Sequence, residues 1–127
     1  MATNNAILLI DDSDDTLEIL SAKLAHHGYT VETAADGETG LAMIRERQPS
    51  IVFCDIMLPR MDGWAVLAAV KSDPDIVDTP VVLMTAYTTI QFQGERAQAL
   101  EQGAAEYLRK PFELGEMIEL VKRLAGE

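Results

Sequence analysis

The sequence predicts an α/β fold of (βα)5 pattern, a doubly wound parallel sheet of five strands covered by helices. Three observations carry that expectation. Short apolar runs alternate with longer amphipathic segments from end to end. Three of the five runs are almost wholly apolar, as suits strands buried on both faces. The 127 residues, 48% hydrophobic and 24% charged, suit one domain with a proper core, taken as residues 1–127 with no effector domain.

Each element follows from its own residues. Residues 6–10 (AILLI) are apolar throughout and lead to Asp11 and Asp12. The next helix takes Ser13 or Asp12 as N-cap and carries Asp14, Asp15 and Glu18 in its early turns, where the helix dipole favours negative charge. Leu17, Leu20, Leu24 and Ala25 form its apolar stripe, and Gly28 stops it. Residues 30–34 alternate, as a strand near an edge does, and a helix over about residues 38–47 turns Leu41, Met43 and Ile44 inward before Pro49. Residues 51–54 are a buried strand ending at Asp55; the helix over about residues 63–71 carries Trp64, Val66, Leu67 and Val70. Residues 81–84 form the fourth strand, ending at Thr85, and a helix over about residues 91–102 closes at Gly103. Residues 105–108 alternate as the fifth strand, ahead of Lys110, and Leu114, Met117, Ile118, Val121 and Leu124 mark the last helix. There is no internal repeat, linker or low-complexity stretch.

Charge narrows the function classes. Ten basic against 21 acidic residues give a net charge of -11, which opposes docking on a phosphate backbone or an anionic lipid surface, so neither nucleic acid nor membrane is the expected partner. The single cysteine, Cys54, has no partner for an intramolecular disulfide, and the start of the chain has no basic region ahead of its short apolar run. No apolar stretch approaches the roughly 20 residues of a membrane-spanning helix. The expected location is the reducing cytoplasm.

In an open parallel sheet, ligands bind beyond the carboxyl ends of the strands where the strand order reverses. Asp11 and Asp12, Asp55, Thr85 and Lys110 are the residues at those ends, so three carboxylates, a hydroxyl and an ammonium are expected along one edge. Two unit charges ~4 Å apart repel by about 4 kcal/mol even at an effective dielectric near 20, so the carboxylates need a positive partner. Mg²⁺ suits them, being a hard cation that takes carboxylate oxygens and completes its octahedron with water and phosphoryl oxygens, and Mn²⁺ can stand in its place. Lys110 adds a second positive charge, and Thr85 a hydroxyl that can donate to a phosphoryl oxygen. This is the make-up of a phosphoryl-transfer site with an aspartate nucleophile. Asp55, alone at the end of the central strand, is the expected acceptor, while the Asp11-Asp12 pair suits the metal.

Asp11-Asp12 after an apolar strand, Phe53-Cys54-Asp55-Ile56-Met57-Leu58-Pro59-Arg60-Met61-Asp62-Gly63, Met84-Thr85-Ala86 and Tyr107-Leu108-Arg109-Lys110-Pro111-Phe112 together resemble the response-regulator receiver domain of two-component signalling. The resemblance covers essentially the whole chain, and the ordered set is specific although each motif alone is weak. It implies a flavodoxin-like fold of strand order 2-1-3-4-5, as in stand-alone chemotaxis-type regulators. It implies that Asp55 receives a phosphoryl group from a phosphohistidine on a sensor histidine kinase or a histidine phosphotransfer protein. By the same resemblance Asp11, Asp12, Asp55 and the backbone carbonyl of Met57 bind Mg²⁺. Lys110 pairs with the phosphoryl oxygens through a cis bond before Pro111, and Thr85 and Tyr107 form a switch pair. The physical content of that switch is that a phosphoryl group draws Thr85 toward it, the vacated space admits the Tyr107 ring, and the face of helix four, strand five and helix five changes for a downstream protein.

Other readings fit less well. A phosphohydrolase of the haloacid dehalogenase type has a second aspartate two residues after the nucleophile, where this chain has Met57, so the chain is expected to catalyse only its own phosphorylation and dephosphorylation. A nucleotide-binding module needs a glycine-rich turn after strand one, where Asp11-Asp12-Ser13 stands. A receiver-shaped interaction module that works without phosphorylation has no need of the five site residues present. Cys54 points away from the site as a small buried hydrophobe, and His26 and His27 suit a helix C-terminus. The segment over residues 87–94 is longer than in compact chemotaxis-type members, and the bulk of Met57 and Tyr87 predicts slow loss of the phosphoryl group.

Overall fold

A computed structural model describes residues 6–86, 92–110 and 112–125. Five parallel strands, β1 (Ala6–Ile10), β2 (Thr30–Ala34), β3 (Ile51–Asp55), β4 (Val81–Thr85) and β5 (Glu106–Arg109), pair in the order β2-β1-β3-β4-β5. Between and after them run α1 (Asp14–His26), α2 (Gly37–Arg47), α3 (Gly63–Ser72), α4 (Phe92–Glu101) and α5 (Leu114–Leu124). The fold and strand order are those expected. The chain reverses direction across the sheet between β1 and β3, so their carboxyl ends open onto the crevice where such sheets bind ligands.

The three apolar runs are the central strands, and every residue of β1, β3 and β4 is buried. Alternation splits their side chains between two cores. On one face Leu8, Ile10, Val52, Cys54, Leu83 and Tyr107 pack under α2, α3 and α4; on the other Ile7, Leu9, Phe53, Met84 and Leu108 pack under α1 and α5. The edge strands β2 and β5 keep exposed positions, as their alternation predicts. Strands β3 and β4 each run one residue further than the apolar pattern, because the backbones of Asp55 and Thr85 stay paired although their side chains are polar. Strand β5 lies one residue further along the chain than expected.

Caps set the helix starts. Ser13, rather than Asp12, caps α1, with Thr16 N–H donating to Ser13 Oγ at 3.2 Å. Asp36 and Asp62 cap α2 and α3 by accepting from Thr39 N–H at 2.7 Å and Ala65 N–H at 2.9 Å. Gln48 ends α2 in the left-handed region at φ 48°. Ala25 is exposed, a correction to the expected stripe: one residue past Leu24 the helix has turned about 100° away from the sheet. Leu120 joins Met117 and Val121 in the core under α5, and was absent from that expectation. Gln91, the expected start of the fourth helix, lies outside the described residues.

Candidate functional site

The site is built by four strand ends. Asp11 is almost wholly buried because β1 keeps pairing past Ile10, with Asp11 N–H donating to Ala34 O at 3.1 Å. Its Oδ1 accepts from Ser13 N–H at 3.0 Å, which ties the carboxylate to the capped start of α1. Its Oδ2 accepts from Lys110 Nζ at 2.7 Å. Asp55, the last residue of β3, accepts from Met57 N–H on Oδ1 at 3.3 Å and from Lys110 Nζ on Oδ2 at 3.3 Å. Lys110 is anchored through its backbone, whose N–H donates to Thr85 O at 2.7 Å, so the end of β4 aims the ammonium. One carboxylate oxygen from each of Asp11, Asp12 and Asp55 lies within 4.8 Å of the others; Asp12 is exposed and the other two are buried.

The loop after β3 is held by close backbone approach. Gly63 N–H donates to Ile56 O at 2.9 Å, and a Cβ on Gly63 would stand 2.7 Å from Asp55 O and 2.8 Å from Ile56 Cα. Glycine is therefore required for α3 to start against the strand that carries Asp55. Arg60, in the left-handed region at φ 64°, reaches back to Asp36 at 3.3 Å and Glu38 at 3.8 Å, bracing the loop against α2.

Burial pushes the Asp55 carboxyl above the usual carboxylate range; the Lys110 charge opposes that rise and the Asp11 charge adds to it. Burial alone would lower the Lys110 ammonium, yet the hydrogen bond it donates to Asp11 and the charges of Asp55 and Asp11 hold it above the usual lysine value. Lys110 is thus firmly charged, while Asp55 is a carboxylate whose ionisation is under-compensated. The difference follows from geometry, since the ammonium lies closer to Asp11 than to Asp55. Burial, followed by the charges of Asp55, Asp11 and Asp62, pushes the Cys54 thiol far up, so it stays protonated and acts as a small core side chain.

Two buried carboxylates with one exposed partner are the ligand chemistry of a small divalent oxygen-binding cation, and Asp11, Asp12 and Asp55 fit Mg²⁺ in that sense. Of the other sequence-predicted residues, Thr85 is fully buried at the end of β4. It shares a face with Tyr107: Leu83 is the register partner of Tyr107, and Thr85 lies two residues on. Asp55 continues the opposite face, two residues after Phe53. The Tyr107 ring already sits in the interior, tilted against Trp64 with centroids 6.3 Å apart, its hydroxyl donating to Glu95 Oε1 at 2.6 Å. Met57 is exposed beside Asp55; Tyr87 and Pro111 lie outside the described residues. Sequence reading missed Glu95, and also the Arg96–Glu106–Arg123 chain, whose guanidinium groups meet Glu106 at 2.8 and 3.5 Å. Neither has a motif, because the packing of α4 and α5 against β5 that creates them exists only after folding.

Residues 7–122 match the response regulator receiver domain family, and the chain belongs to it. Among curated relatives, the chain is 43% identical over 107 residues to response regulator PleD of Caulobacter vibrioides, covering 84% of this chain and 23% of that one. It is 37% identical over 118 residues to the DNA-binding dual master transcriptional regulator RpaA of Synechocystis, covering 93% of this chain and 48% of the other. The chain therefore spans less than half the length of these relatives. Among solved structures, the receiver domain of the Francisella response regulator 1452 superposes with a TM-score of 0.87 at 26% identity, covering 97% of this chain and 98% of that one. The chemotaxis protein CheY4 of Vibrio cholerae gives a TM-score of 0.83 at 28% identity, covering 97% of this chain and 99% of the other. Among the described residues no helix is long and apolar enough to cross a membrane.

Proposed function

We propose that the chain receives a phosphoryl group on Asp55 from a phosphohistidine of a sensor histidine kinase or histidine phosphotransfer protein. An Asp55 oxygen attacks phosphorus, the phosphorus–nitrogen bond breaks, and its electron pair returns to the imidazole nitrogen. Asp11, Asp12, Asp55 and the Met57 carbonyl hold Mg²⁺, which supplies charge neutralisation at the phosphoryl oxygens. Lys110 stays charged and bridges from Asp11 to those oxygens, and the Thr85 hydroxyl donates to one of them. The observation that carries this reading is the meeting of three aspartates with Lys110 at one sheet edge. Because the Tyr107 ring is already inside, the phosphoryl group acts on the switch by fixing that arrangement through Thr85, and the face of α4, β5 and α5 then presents itself to a protein partner.

The test is incubation with acetyl phosphate with and without Mg²⁺, comparing Asp55→Asn and reading intact mass. A gain of one phosphoryl mass that needs both Mg²⁺ and Asp55 is expected. Equal labelling of the variant, or labelling indifferent to the metal, overturns the assignment.

A further inference from the structure

Helix α4 is attached to the molecule in an unusual way. Among its described side chains Ala99 is the one that is buried; Ala97 and Gln98 are exposed and Leu100 is 37% exposed. From Gly94 to Glu101 the described side chains add little other apolar contact, and directed polar contacts help to place this part of the helix. Two adjacent residues of α4 supply them to two adjacent residues of β5. Arg96 grips Glu106 with two parallel bonds, Nε to Oε1 at 2.8 Å and Nη2 to Oε2 at 3.1 Å. Glu95 takes the Tyr107 hydroxyl on Oε1 at 2.6 Å. The first grip is set on a half-buried carboxylate, whereas the second reaches a ring that is only 2% exposed and lies against Trp64.

We propose that Glu95 is the positioning residue of Tyr107: its carboxylate holds the phenol in the buried orientation and thereby makes the placement of α4 and the orientation of the ring a single event. The proposal rests on the reading of Thr85 and Tyr107 as a switch for its meaning in signalling, but not for its physical content. A tyrosine hydroxyl in a core needs an acceptor, and a carboxylate is a strong one. With Glu95 in place the hydroxyl has a charged acceptor at 2.6 Å; without it that contact is lost and the buried orientation is weakened. Arg96 has a different role. It fastens the helix without touching the ring, so its loss loosens α4 more than it frees Tyr107.

The experiment uses the full chain without phosphodonor, so its outcome stands apart from whether Asp55 is the acceptor. Tetranitromethane nitrates accessible tyrosines, and peptide mass separates Tyr107 from the half-buried Tyr29, which serves as the internal control. In Glu95→Ala, nitration of Tyr107 rises by about ten-fold, as loss of a hydrogen bond to a charged group implies, while Tyr29 is unchanged. The emission of Trp64, the single tryptophan, shifts as the neighbouring ring leaves. Glu95→Gln keeps an acceptor and restores most of the protection, and Arg96→Ala leaves Tyr107 more protected than Glu95→Ala does. Unchanged Tyr107 nitration in Glu95→Ala overturns the proposal. So does a parallel rise at Tyr29, which reports general loosening, and so does failure of the Gln variant to rescue.

Discussion

Asp55 is ionised at a cost. Its folded-state value is raised, so between the usual carboxylate range and that raised value the folded protein binds more protons than the unfolded chain. Stability therefore falls as pH rises through this window, and the penalty persists at neutral pH. Asp55→Asn should melt at a higher temperature than the parent at pH 7, with the difference shrinking as pH falls below the window; equal melting curves across pH would show that Lys110 compensates the charge fully. Lys110 has the same sense of dependence, at much higher pH. Its raised value means that its contribution is complete below the usual lysine value and is lost as pH climbs above it. At Met57 the question is access. Met57 is 57% exposed next to Asp55, where its side chain would shield a phosphoryl group on Asp55 from water. Met57→Asn should shorten the phosphoryl lifetime several-fold, followed as decay of the phosphorylated mass after removal of the donor; a lifetime of seconds that the substitution leaves unchanged would refute the shielding.

At the scale of elements, the loop from β3 to α3 follows directly on Asp55, and it is set by backbone contact rather than by side-chain packing. A methyl group on Gly63 would meet Asp55 O and Ile56 Cα, neither of which can give way without moving the strand end. Gly63→Ala should cost roughly 1–3 kcal/mol in chemical denaturation and weaken Mg²⁺ binding at the same time; a stability loss with unchanged metal affinity would show that the loop shifts without the site. The elements also show what a sequence can and cannot reveal. Strands β1, β3 and β4 were legible as unbroken apolar runs, and the strand-end rule then brought Asp11, Asp12, Asp55 and Lys110 to one edge. Strand ends at Asp55 and Thr85 were read one residue short because polarity, the signal used, changes before pairing stops. The choice between Asp12 and Ser13 as cap was open in the sequence because both residue types cap well; the structure settles it on Ser13. Glu95 was invisible because 12 residues separate it from Tyr107 and no local periodicity links them.

For the molecule as a whole, metal binding and folding are linked. A cation held by native Asp11, Asp12 and Asp55 and not by the unfolded chain stabilises the fold by about 1.4 kcal/mol at ten times its Kd. Thermal melts should rise with Mg²⁺ and return with EDTA. Asp12→Asn is the informative variant, because Asp12 is exposed and does not cap α1, so its melting temperature without metal should stay within about 0.5 kcal/mol of the parent in stability terms. The Mg²⁺ increment should be much smaller in this variant; an increment of full size would place the cation elsewhere.

The alternation of side chains across the central sheet divides the molecule in another respect. Asp55 shares its side with α1 and α5, while Thr85 and Tyr107 share theirs with α2, α3 and α4. The sheet is a septum with Asp55 on one side and the Thr85–Tyr107 pair on the other, and the two sides meet over its carboxyl rim. A library randomised over exposed positions of α4 away from Glu95 and Arg96 should therefore yield variants that bind new partners while the Mg²⁺-dependent rise in melting temperature stays at its parental size.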